Sequence, residues 1–208
     1  MLRNAQENSL KKSRILFGIL DEDADWAVIM PMEIGQNIFR FTIKELQPGG
    51  KSSAVIVRNA QRIGLDKVCA VHESDMYFVR GNIAPGELDL LGRFLFSDPV
   101  LTAFSVEKLP CKAEPDVQYI EVGYHVGVTD SVAEEIVRAA RELGVSGIDA
   151  AATGKRYTVS CRDGMSLEQE ELSRLADKVL VNPVVQRYAI GSITPAFRAF
   201  NGRAPCCS

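Results

Sequence analysis

Two histidines, five cysteines, a Gly-Lys pair and two tyrosines carry most of the chemistry this sequence could offer. A nucleophilic triad needs a base beside a nucleophile and a third group to orient the base. His72 and His125 lie 125 − 72 = 53 positions apart, one at a predicted hairpin and one at a strand end, and neither has an evident partner. They read as surface or turn histidines. Cys69, Cys111, Cys161, Cys206 and Cys207 are odd in number and show no C-x-x-C spacing, which points to reduced thiols. Cys69 falls in a strand and reads as a small buried hydrophobe. With only two histidines beside these cysteines, no metal-ligand cluster takes shape.

Thr153-Gly154-Lys155-Arg156 invites comparison with a phosphate loop. That loop requires Gly, four residues and Gly-Lys-Ser/Thr before a helix, so that successive amides point at the phosphates. Here six residues separate Gly147 from Gly154, Arg156 replaces the hydroxyl residue and a strand follows, so a tight hairpin connection is expected. Tyr77 and Tyr157 occupy equivalent strand positions. Each is expected to pack between sheet and helix with its hydroxyl at the edge; the alternative places one at a subunit interface, where Tyr is enriched. Arg58 and Arg138 fall on helix faces opposite the apolar stripe. Solvation or pairing of Glu134 with Arg138 is the ordinary role, and partner contact is the alternative for Arg138. The candidate interface residues are therefore Tyr77, Arg138 and Tyr157. No catalytic, cofactor-binding or metal-binding residue is expected.

The elements that hold these residues come in two sets. Gly64 and Gly144 differ by 144 − 64 = 80 positions, and Arg58/Arg138, Ala60/Ala140, Tyr77/Tyr157 and Val79/Val159 share that offset. After a small insertion the offset becomes 183 − 99 = 84, pairing Pro99 with Pro183, Glu87 with Glu171, Leu88 with Leu172, Leu91 with Leu175 and Val100 with Val184. Self-similarity of this kind marks an internal repeat.

In the second set, 119–125 suits a strand, and 127–130 turns the chain. Ser131 with Glu134 has capping-box spacing. Val132, Ile136, Ala139, Ala140 and Leu143 recur at helical spacing before Gly144. Strands over 148–151 and 156–160 are expected around the Thr153-Gly154-Lys155 turn. Ser166 and Gln169 then open a helix with Leu172, Leu175, Ala176 and Val179 on one face. Asn182-Pro183 stops it, and 184–190 forms the last strand.

The first set repeats the order: strand 39–46, a turn at Gln47-Pro48-Gly49-Gly50, and a helix bearing Ile56, Ala60 and Ile63. A hairpin of 68–71 with 76–79 follows, then a helix begun by Pro85 and a strand over 100–106. The expected fold class is α+β: two tandem βαββαβ units, antiparallel sheets with helices on one face, arranged as a pseudo-twofold pair. The boundaries are 1–37 unassigned, 38–109 the first unit, 110–116 a linker, 117–193 the second unit and 194–208 a tail.

Composition limits the partners. Hydrophobic residues at 46%, charged residues at 25% and a formal net charge of −3 describe an ordinary globular chain and give no support to a nucleic-acid or anionic-membrane surface. The apolar run Ile15 to Leu20 is too short for a signal-peptide core and is cut off by Asp21, Glu22, Asp23 and Asp25. A cytoplasmic location is expected.

The second set resembles the PurS family, the small subunit of phosphoribosylformylglycinamidine (FGAM) synthase. The similar features are V-G-V-T-D at 126–130 with its preceding strand, A-A-R-E-L-G-V at 139–145, the Tyr157 strand and V-L-V-N-P-V-V-Q at 179–186. The first set carries a weaker version in Q-P-G-G at 47–50, Tyr77 and L-F-S-D-P-V at 95–100.

This resemblance implies a non-catalytic part in purine biosynthesis. A synthetase (PurL-like) and a glutaminase (PurQ-like) are the implied partners. They would use ATP and glutamine, leaving this chain without a cofactor of its own. Two such units in one chain also resemble the N-terminal region of fused synthases. The alternatives are a tandem ACT-like module sensing a small molecule and an inactive fragment of a fused synthase. Gln47-Pro48-Gly49 lacks the Asp, and Gly127 to Asp130 lacks the Pro-Gly, of the ACT-type Asp-x-Pro-Gly turn.

Overall fold

β1 (Ile38–Glu45) alternates Phe39, Phe41 and Ile43 with Arg40 and Thr42, the pattern of a strand whose two faces meet different surroundings. A computed structural model of the protein describes residues 37–46, 51–111 and 117–198, all within one compact unit. The Gln47–Gly50 turn, residues 112–116 of the expected linker, the unassigned start through 36 and the end of the tail from 199 lie outside the described residues.

After β1 come α1 (Lys51–Arg62), β2 (Val68–Gly81), α2 (Pro85–Leu91) and β3 (Thr102–Leu109). Then follow β4 (Gln118–Tyr124), α3 (Ser131–Glu142), β5 (Ile148–Cys161), α4 (Gln169–Leu175) and β6 (Gln186–Ile190). α2 and α4 each run on into one wide π-type turn, Gly92–Phe96 and Ala176–Leu180. Gly92 lets the first of these pack closely on β3, since a Cβ there would lie 2.2 Å from the Phe104 ring.

The strands form a single antiparallel sheet in the order β3-β1-β2-β5-β4-β6. Two expectations are corrected. There is one sheet, not one per unit, and the expected hairpins are continuous strands. β2 and β5 each run 14 residues, so the order along the chain is β-α-β-α-β, twice. Glu73-Ser74-Asp75 and Thr153-Gly154-Lys155 imitate turns because they are polar or small between apolar runs. They sit mid-strand, where the Asp75 and Lys155 side chains keep about half of their surface exposed. Gly154 is set by close approach: a Cβ there would come within 2.6 Å of the Val122 carbonyl oxygen.

The helices pack on one face of the sheet, in two clusters. One joins Ile136, Val137 and Ala140 of α3 to Leu91 and Phe96 at the end of α2, over Phe41, Val79 and Ala151. The other joins Ala60 of α1 to Leu172, Leu175 and Ala176 of α4, over Val71, Ile120, Tyr157 and Val159. Each cluster therefore draws on residues both before 110 and after 116.

Local caps differ from the sequence reading by one or two positions. Asp130 caps α3, accepting from the Ala133 amide at 3.0 Å, in place of a Ser131–Glu134 box. The buried stripe of α3 is Ala133, Ile136, Val137 and Ala140, which leaves Val132 and Leu143 exposed. Glu168, not Ser166, precedes α4, and its amide donates to Glu171 at 2.9 Å.

Candidate functional site

The helix-free face carries buried charge. Arg40 of β1, Glu121 of β4 and Arg156 of β5 are 2%, 0% and 4% exposed. Glu121 Oε1 accepts from Arg40 Nη1 at 2.7 Å and from Arg156 Nε and Nη2 at 3.0 and 2.7 Å. Its Oε2 accepts the Ile193 amide at 2.8 Å, which pins the segment after β6 across the sheet. Arg40 Nη2 donates to Glu107 at 2.5 Å and to Cys111 Sγ at 3.1 Å. Burial pulls the Arg40 pKa down, but the bond to Glu107 and the charge of Glu121 more than reverse that and raise it. Arg156 also lies over the Tyr119 ring, 4.3 Å from its centroid. Glu121 accepts four hydrogen bonds at once, so this cluster locks strands together and offers no free base.

The opposite face has a polar gap between the two helix clusters. There Lys155 bonds to Glu73 and lies 3.3 Å from Asp75. Burial pushes the Tyr157 phenol up to about 12, with help from the Glu73 charge, and raises that of Tyr77 in the same direction.

The edges of the sheet carry two turns with one bonding scheme. Asp98 Oδ1 accepts the Val100 amide at 2.8 Å, and Asn182 Oδ1 accepts the Val184 amide at 3.1 Å. The carbonyls of Asp98 and Asn182 accept the amides of Thr102 and Gln186, each at 2.8 Å. These side-chain turns hold Val100 and Val184 outward, 78% and 81% exposed. Leu46 and Leu101 are exposed beside Val100, and Val126 is exposed at the end of β4.

The residues singled out from sequence lie apart. Tyr77 stacks on Phe96 with centroids 4.7 Å apart, and Tyr157 is buried in the cluster around α1 and α4. Arg138 is exposed on α3 and pairs with Glu135, not Glu134, which bonds Arg198 instead. Arg58 is exposed on α1. His72 is exposed within β2, and His125 Nε2 meets the Pro183 carbonyl at 3.2 Å. Cys69 is exposed, against expectation, because a bulge between Val68 and Ala70 breaks the alternation.

The Arg40–Glu121–Arg156 cluster went unread because its members belong to three separate strands. The one available signal was a charge between apolar neighbours in two of them, Arg40 between Phe39 and Phe41 and Glu121 between Ile120 and Val122. No helix among the described residues is long and apolar enough to cross a membrane.

The family match falls on β4 to Ile193, the stretch that contains Glu121, Arg156 and the Asn182 turn. Residues 118–193 match the family described as PurS: Phosphoribosylformylglycinamidine (FGAM) synthase. The PurS-like segment thus begins at β4 and ends just past β6, at the residue whose amide binds Glu121. No curated protein matches the chain.

Proposed function

We propose that this chain is a non-catalytic PurS-like module of FGAM synthase in cytoplasmic purine biosynthesis. It bridges a synthetase (PurL-like) part and a glutaminase (PurQ-like) part during ATP-dependent conversion of an amide to an amidine. The observation that carries this reading is the PurS match across 118–193.

Residues 38–109 act as a second copy of that unit. The lengths of α1 and α3, of β2 and β5, and of α2 and α4 agree pair by pair. The β2–β5 register supports the same view. Val71↔Val159 is mirrored by Val79↔Ala151, and the bulged end pair Val68↔Cys161 by Gly81↔Ile148, all at the offset of 80 read from sequence.

Docking uses the outward valines of the two turns, Val100 together with exposed Leu46 and Leu101, since contiguous exposed apolar patches mark interaction sites. The test is co-purification of the full chain with synthetase and glutaminase from the same source. Capture of both, lost in Val100→Asp or Val184→Asp variants of unchanged melting temperature, supports the reading. Capture of neither removes it. Arg138→Glu tests the α3 face separately: unchanged complex formation takes Arg138 out of the interface.

A further inference from the structure

A cavity of about 210 Å³ opens in the polar gap between the two helix clusters. Asp75 and Tyr77 of β2, Tyr124 of β4, Thr153 and Lys155 of β5 and Val132 of α3 line it. It is smaller than the roughly 300 Å³ at which pockets for drug-sized ligands begin, which leaves room only for a small molecule.

Its charges stand as an opposed pair. Lys155 Nζ is 3.3 Å from Asp75 Oδ1, and Glu73 is the closer carboxylate. The Lys155 and Asp75 side chains are 44% and 52% exposed. A half-exposed pair of this kind is weak, so opening the longer contact costs little. A molecule that carries both an ammonium and a carboxylate can then insert, the first on Asp75 and the second on Lys155, while Glu73 keeps its hold on Lys155. Two carboxylates and one ammonium already leave the trio net negative, which disfavours an inorganic anion. The rings of Tyr77 and Tyr124 and the side chain of Val132 offer an apolar wall for the rest of the ligand.

We infer that this cavity is a binding site for a free α-amino acid, held through its zwitterion by Asp75 and Lys155. The site goes beyond the bridging role and does not depend on it.

The test is calorimetric titration of the full chain with L-glutamine and L-leucine, with butylamine and butyrate as single-charge controls. At least one amino acid should bind saturably and neither control should. Asp75→Asn and Lys155→Gln should each weaken binding about tenfold or more. Val132→Trp narrows the mouth from an exposed helix position and should abolish binding with the melting temperature unchanged. Should that variant unfold, amide shifts in the wild-type chain decide: changes centred on Tyr77, Thr153 and Lys155 support the site, and changes elsewhere overturn it. No binding of either amino acid, equal binding of a control, or binding that survives in a folded Val132→Trp protein also overturns it.

Discussion

Asp75 and Lys155 face each other at the midpoint of the β2–β5 ladder, with Tyr77 and Tyr157 two positions along each strand. Lys155 there balances two carboxylates, and its ammonium pKa is raised: burial lowers it, but Glu73 and Asp75 outweigh that. Lys155→Glu should cost on the order of 1 kcal/mol, given the solvent exposure of the group. Combining Asp75→Lys with Lys155→Asp should recover most of the loss in urea denaturation.

Glu121 is the shared counter-charge of two buried guanidiniums. Glu121→Gln should lower stability by about 3–5 kcal/mol, because removing one partner strands buried charge. Replacing Arg40, Glu121 and Arg156 together with Met, Leu and Met should cost far less, since the desolvation penalty goes with the charges. Urea midpoints of the single and triple variants decide between a lock and a mere contact.

Gly147 marks where β5 begins against the end of β2. A Cβ there would lie 2.1 Å from the Asn82 carbonyl oxygen, and one at Gly81 would lie 1.9 Å from that of Gly147. Gly147→Ala should therefore destabilise by roughly 1–3 kcal/mol, as overpacking does. Gly144→Ala has open space around it but a φ of +87°, so its cost is conformational alone and smaller, about 1 kcal/mol. Thermal melts of the two variants separate steric from backbone effects.

Alkaline pH should loosen the α1–α4 cluster. Tyr157 in the fold titrates near 12, above the value of an exposed phenol, because burial disfavours the phenolate. The unfolded chain releases its phenol proton first, so between about pH 10 and 12 the folded state binds more protons and stability falls as pH rises. Below pH 10 the contribution is fully present. Tyr157→Phe should flatten that decline, read from denaturant midpoints against pH and from phenolate absorbance.

Helix positions were legible in the sequence because they rest on local periodicity. Leu172, Leu175 and Ala176 are buried on the face their spacing marked. The long strands were not legible. A polar stretch such as His72 to Asp75 carries the same local signal whether the chain reverses or continues as a strand between two helix clusters. The buried charges were hidden for a different reason: Arg40, Glu121 and Arg156 are scattered through the sequence and become neighbours only when the strands align. The stripe of α3 was misplaced because Val132 looks as apolar as Ala133, and only its cavity-facing position distinguishes it.

The crossed packing of the helices sets a timetable for synthesis. Ala60 and Val71 leave the ribosome long before Leu172 and Leu175, the residues that shield them. Until α4 emerges, α1 and the centre of the sheet hold apolar surface open to water, a state in which nascent chains associate wrongly. Folding of this unit must therefore wait until α4 has emerged, and a ribosome that stalls before it releases a sticky product.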